Sequence, residues 1–310
     1  MTDELHLPMT QIRVSGHETF PLRLLWLKKA YDVASGPHGV DRRTFHEQSA
    51  IARFGVGKNM ALSMRHWALA AGVISDDGEA ALTATDFGHM IFGNDGLDPY
   101  LEQHSTLWLI HANLVAIPDV ATTFYYAFNR INQSAFSRED LVQAMAVIVG
   151  SRGGRATVET LKRDVEVFVR SYAARSQDAG EDASEPLMVE LGLLRELKSS
   201  GQMEFVRGPK NTLPDGVFAR VLKRYWGRNH QQSPTLSVEQ AQYGPGSPGR
   251  VFKLDEDSLV ARLMRISDVT GGKMTWTDTA GLRQVALVGN LAEIDELTLI
   301  AASYKRRRAA

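Results

Sequence analysis

An imidazole beside a carboxylate, as in His17-Glu18, can move a proton or hold a metal ion. The zinc-protease arrangement needs a second histidine on the same helical face, but position 21 is Pro21, so that chemistry is excluded. The alternative is structural: the pair caps the helix that follows and hydrogen-bonds across a domain contact. Asp98, Glu102, His104 and His111 form a second titratable group, but their spacings of four, two and seven do not share one helix face. Structural hydrogen bonding is the favoured reading there. Gly55-x-Gly57-Lys58 lacks both the four-residue interval and the following Ser or Thr of a phosphate-binding loop, and it follows a helix rather than a strand. Glu196-x-Lys198 with Asp182 upstream has the residue types of a restriction-type nuclease core. That core needs a hairpin, the segment reads as helix, and the reading is set aside.

The remaining reading of Gly55-Val56-Gly57-Lys58-Asn59-Met60 is the turn of a helix-turn-helix. Lys58 and Asn59 then lie at the outward N-terminal end of a helix, where contacts to DNA phosphates and base edges are made. Met60, Met64, Trp67, Ala68 and Ala71 share one sector of that helix, and Lys58, Asn59, Arg65 and His66 share the other. Leu62 and Leu69 fall in the polar sector and suggest packing on another helix, domain or partner.

Around this turn the punctuation of a winged helix is legible. An amphipathic helix is predicted from Pro21 to about Val33, with Arg23, Lys28 and Lys29 on its other faces. Thr44-x-x-Glu47 is a capping-box pattern for a short helix through Arg53, and Arg42-Arg43 before it is a basic loop. Gly72 ends the third helix, and an Asp77-Gly78 turn between apolar stretches predicts a hairpin. Thr85 opens a short helix, Asp98-Pro99-Tyr100 a longer one through Leu114, and further helices are expected at 120–129, 138–149, 157–173, 186–197 and 214–226. Residues 176–185 read as an acidic linker. No repeat of fixed period is visible. The expected fold is mainly α with small β-hairpins: an N-terminal winged helix-turn-helix and following helices (1–118), a helical middle region (119–185), and a C-terminal α+β, winged-helix-like unit (186–310).

Composition narrows the chemistry further. The chain has 310 residues, no cysteine and a net charge of −1. Disulfides, thiolate metal sites and cysteine nucleophiles are excluded, so any metal rests on His, Asp and Glu. A DNA-binding face must be a local patch against an acidic remainder. The cluster Lys305-Arg306-Arg307-Arg308 reads as a solvated tail. There is no signal-peptide pattern and no long apolar run at the sequence level, so the expectation is a cytoplasmic protein without a membrane partner.

Several ordered strings resemble the DUF4007 family: Ser15-Gly16-His17-Glu18-Thr19-Phe20-Pro21-Leu22-Arg23 with Trp26-Leu27-x-Lys29; Gly55 to Met60 with Arg65-x-Trp67; and Asp98-Pro99-Tyr100-Leu101-Glu102 with Trp108-x-x-His111. So do Glu181-Asp182-x-x-x-Pro186-Leu187 with Leu191-Gly192-Leu193, and Ser247-Pro248-Gly249-x-Val251-Phe252. The resemblance implies a component of a bacterial DNA phosphorothioation and anti-phage defence module. It further implies a DNA nickase acting with a cysteine desulfurase, an ATPase and an ATP-pyrophosphatase-like enzyme. It carries no catalytic residue assignment with it.

The expectation that follows is a sequence-selective double-stranded-DNA-binding protein, with Arg23, Lys28, Arg42, Arg43, Lys58, Asn59, Arg65 and His66 as contact residues. If it nicks a strand, hydrolysis needs a metal-activated water, with Mg or Mn as the metal, or a positioned base, together with cations. His17, Glu18 and Lys29, then Asp98 and His111, are the candidates for that chemistry. A scaffold that binds DNA or partner proteins without catalysis is the alternative.

Overall fold

Local signals build the first third of the molecule. In the computed structural model, which describes residues 11–46, 49–76, 78, 81–174, 186–279 and 281–304, helix α1 spans Trp26–Ala34. Strand β1 (Val40–Asp41), a 3₁₀ turn (Arg42–Phe45), α2 (Ser49–Phe54), α3 (Lys58–Ala70) and the hairpin β2 (Ile74–Asp76) and β3 (Ala81–Ala84) follow. Gly55 adopts φ +68° and stops α2; Gly57 then enters α3 as an N-cap with no side chain to cap it. Gly72, at φ +73°, ends α3, with its N–H on the Leu69 carbonyl and that of Val73 on Ala68. This pair of bonds closes the carbonyls that a helix end leaves open.

Several predicted boundaries move. Helix α1 starts at Trp26 rather than Pro21 because Leu25 sits in the left-handed region (φ 65°), which breaks an otherwise continuous apolar pattern. Thr44 lies inside the 3₁₀ turn, which is capped instead by Asp41 accepting from the Arg43 N–H at 2.7 Å. Glu47, Asp77, the segment 176–185 and the Lys305–Arg308 cluster lie outside the described residues.

Thr85 caps α4 (Asp86–Phe92), and α5 runs over His104–Val115. Helix α5 is buried on nearly every side, from Ser105 to Val115, as befits a helix apolar all round. The chain continues through α6 (Thr122–Arg130), β4 (Ala135–Phe136), α7 (Arg138–Ser151), α8 (Val158–Tyr172), β5 (Leu194–Glu196), β6 (Met203–Phe205) and α9 (Asp215–Asn229), of which α6 and α9 pack against α5. Then come β7 (Thr235–Ser237), α10 (Val238–Tyr243), α11 (Pro248–Val251), α12 (Glu256–Leu263), α13 (Ile266–Val269), β8 (Met274–Thr279), β9 (Leu282–Leu287) and α14 (Glu296–Ala301). The helix expected over 186–197 is instead a 3₁₀ turn (Leu187–Leu191), a left-handed Gly192 and strand β5. The cross-strand partner of β5 is β6, which a local helix pattern does not reveal.

Three small antiparallel sheets share one topology, β1-β3-β2, β4-β6-β5 and β7-β9-β8. In each, a short strand that follows a helix pairs with the far strand of a later hairpin. The chain therefore repeats a plan of helix, strand, helices and hairpin without repeating a sequence. The inserted helices differ in each copy, from the short α2 to the long α7 and α8. The second sheet joins β4 to the 194–205 hairpin, on either side of position 185. One hydrophobic core runs from Val14 to Tyr304. No described helix is long and apolar enough to cross a membrane.

The Ser247-Pro248-Gly249 string has a packing cause. Ser247 caps α11, Pro248 opens it, and a Cβ on Gly249 would lie 2.4 Å from the Gln242 carbonyl oxygen. Gly249→Ala is expected to destabilise the fold by about 1–3 kcal/mol, read as a lowered urea midpoint with an unchanged slope.

Candidate nucleic-acid interface

The N-terminal end of α3 is exposed and polar. Lys58 and Asn59 are exposed, and the first N–H groups of the helix have no side-chain cap. Such an end favours anions through its orphan donors and dipole. Arg43 is exposed on the adjoining 3₁₀ turn. About two turns along α3, Arg65 donates to His46 Nε2 at 2.8 Å, and burial, then Arg65 and Lys58, lower the His46 pKa. Arg65 is thus held by an uncharged imidazole and keeps its own positive charge.

The other expected contact residues are more committed. Arg42 pairs with Asp76 across the 3₁₀ turn and hairpin, and Lys28 pairs with Asp32 at 2.5 Å. The Arg23 guanidinium lies 5.5 Å from both the Phe20 and Trp26 ring centres. Leu62 and Leu69 are half-buried, and Leu69 packs on the core, so neither stands out as a free apolar contact.

His66 faces a cavity of about 570 Å³ that Arg13, Arg65, Asp76 and Asp119 also line. Burial, then His17, Arg13 and Arg65, push its pKa down to about 3. It is therefore a neutral ring, not a cation for phosphate.

The catalytic candidates do not converge. His17 is buried, and its Nε2–H donates to Asp164 Oδ1 at 2.7 Å while Nδ1 accepts from the Thr19 N–H at 3.2 Å. The Thr123 hydroxyl donates to the other Asp164 oxygen. Both ring nitrogens of His17 are thus occupied within the protein. The ring stacks beside Trp67, whose Nε1–H donates to the Phe20 carbonyl at 3.0 Å. This network pins a loop with left-handed backbone at Gly16, Glu18 and Thr19 (φ 103°, 47° and 67°), which non-glycine residues adopt at a cost. Glu18 is exposed on that loop, and Lys29 donates to the Phe54 carbonyl at 2.9 Å, closing the end of α2.

Asp98 precedes α5, and His111 lies in the second half of that helix. Asp98 accepts from the N–H groups of Glu102 (2.8 Å) and Gln103 (3.0 Å) and from the Thr106 hydroxyl, an anchor for the helix start. His111 is fully buried, accepting from the Tyr172 hydroxyl and donating to the Val251 carbonyl, each at 2.8 Å. It ties α5 to α8 and α11, and burial pushes its pKa down to about 3. Asp164 and Thr123 were not singled out from sequence, being 147 and 106 positions from His17 with no local pattern linking them.

A pH dependence follows. In the unfolded chain both imidazoles titrate near 6.5, while in the fold His66 and His111 do so at about 3. The unfolded state binds more protons between these values, so stability is full above about pH 6.5 and falls as pH drops toward 3. Each group contributes a slope of up to about 1.4 kcal/mol per pH unit. Urea melts across this range should show the fall, and His111→Gln should flatten it.

Among the described residues no three His, Asp or Glu side chains stand close enough to hold an ion. Glu196, on the strand that replaces the expected helix, pairs with Arg138 at 3.3 Å, and Asp182 lies outside the described residues. The 194–205 segment is thus the hairpin that the nuclease pattern requires.

Fold and site define a helix-rich protein of three strand–helices–hairpin units, with an open helix end on the first. The chain belongs to the DUF4007 family, described as a protein of unknown function, whose model matches residues 14–304. An SspB crystal structure is similar over 98% of this chain and 90% of that one, at 26% identity and a TM-score of 0.82. A magnesium ion-bound SspB crystal structure covers the same shares at 24% identity and a TM-score of 0.84. No curated protein matches the chain.

Proposed function

We propose that the protein is a double-stranded-DNA-binding component of a bacterial DNA phosphorothioation system. The observation that carries the reading is the uncapped N-terminus of α3, which displays Lys58 and Asn59, with Arg65 about two turns along the same helix. On this reading the three strand–helices–hairpin units are winged helices, and α3 of the first enters the major groove. Asn59 suits adenine, Lys58 and Arg65 suit guanine or phosphate, and the β2–β3 hairpin lies over the flanking backbone. The phosphorothioation context rests on the DUF4007 resemblance and the likeness to SspB structures. It makes a cysteine desulfurase, an ATPase and an ATP-pyrophosphatase-like enzyme the proposed partners.

The test is duplex binding as a function of salt. Each neutralised phosphate should contribute about 0.9 to the slope of log affinity against log salt. Binding that is absent at low salt, or that ignores ionic strength, rejects the reading in favour of a protein-binding scaffold. A second reading, nicking of one strand, is favoured by the magnesium ion in the similar SspB structure. Relaxation of supercoiled plasmid by the purified protein with Mg²⁺ or Mn²⁺ supports it; plasmid left intact leaves a binder that recruits others.

A further inference from the structure

One side of α9 carries three arginines, the first of them buried. Arg220, Arg224 and Arg228 recur every fourth residue and so share one side, about 6 Å apart along the axis. All three line a cleft of about 390 Å³ between α9, the end of α3 and the start of α4. Arg220 is only 2% exposed and is fixed by Asn113 Oδ1 at 3.2 Å. A single carboxylate, Glu296, serves Arg220, Lys223 and Arg224 at 3.2, 3.6 and 2.7 Å. Arg228 donates to the Ala116 carbonyl at 3.2 Å, and Asp86, exposed on α4, is the acidic side chain in the lining.

Crowded guanidinium groups on a partly buried helix are costly unless an anion joins them. Burial and the neighbouring Arg224 lower the pKa of Arg220 to about 10, and the same causes lower that of Arg228. The planar fork of arginine matches phosphoryl oxygens. Across the cleft the wall is apolar, with Phe87, Ile117 and Val120. The volume falls in the range of small-molecule sites.

We propose that this cleft binds a nucleoside phosphate, with its phosphoryl oxygens on Arg224 and Arg228 and its base against Phe87, Ile117 and Val120. The ligand is either a free nucleotide or one nucleotide unit of a DNA strand turned out of its stack. Lys58 and Asn59 do not line the cleft, so the inference stands apart from the duplex-binding reading.

The test uses the full chain in two arms. Calorimetry with AMP, ADP and ATP reads free nucleotides, and fluorescence anisotropy with a labelled single-stranded oligonucleotide reads the strand. Binding in either arm is expected, weakened about tenfold or more in Arg224→Gln/Arg228→Gln and unchanged in Arg195→Gln, an exposed arginine of β5 that does not line the cleft. The arm that binds identifies the source. If the double variant fails to fold, Arg228→Glu, at an exposed position near the helix end, serves in its place. No binding in either arm overturns the proposal. So does binding that survives the α9 substitutions.

Discussion

Asp164→Ala should destabilise the protein by about 3–5 kcal/mol, among the largest losses a single side chain can cause here. Asp164 is 3% exposed and accepts from both the His17 ring and the Thr123 hydroxyl. Removing it leaves two buried polar groups facing each other without an acceptor. It also frees the loop whose left-handed residues the His17 anchor holds, and that loop packs on α3 through Trp67 and Phe20. Asp164→Asn keeps an acceptor for the His17 N–H, and the Thr123 hydroxyl can rotate to accept from the amide, so its loss should be much smaller. Thermal melts of both variants decide the matter: equal, small shifts would mean that the network stabilises little.

The contrast between this network and the α3 turn marks what a sequence can carry. Gly55, Gly57, Gly72 and Thr85 act on their immediate neighbours, so their roles at helix ends are legible one at a time. The His17–Asp164 bond joins residues far apart in the chain, and only packing of α8 against the N-terminal loop creates it. Lys29 reads as a surface cation until α2 brings the Phe54 carbonyl within 2.9 Å. Strand β5 has three residues, too few for a period, and exists because β6 pairs with it. The DUF4007 resemblance was legible from ordered motifs, and several of those motifs mark structural joints. Asp98 starts α5, His111 bridges three helices, and Gly249 lets α10 and α11 touch. The arginines of α9 carry no local signal that separates them from an ordinary solvated helix face. Their significance lies in the wall opposite, which comes from α4 and the end of α5.

Lys58→Ala and Asn59→Ala should weaken duplex binding in different ways, and the difference is the informative part. Both side chains are exposed, so neither change should move the melting free energy by more than about 0.5 kcal/mol. Lys58 stands where the first free N–H groups of α3 already favour an anion. Its loss should weaken all sequences alike and lower the salt slope by about 0.9. Asn59 can read a base by two hydrogen bonds, so its loss should cost about 1–3 kcal/mol on the preferred site and little elsewhere. Arg65→Ala is a further discriminator, because its guanidinium is tied to His46 at 2.8 Å. Its removal takes one charge from the patch but frees no exposed donor, and the expected loss is smaller than that for Asn59. Electrophoretic shifts at two salt concentrations, on preferred and scrambled duplexes, separate the three outcomes. If affinity and salt slope are unchanged in the Lys58→Ala/Asn59→Ala double variant, α3 does not enter the groove. In that case the basic end of this helix serves a protein partner instead.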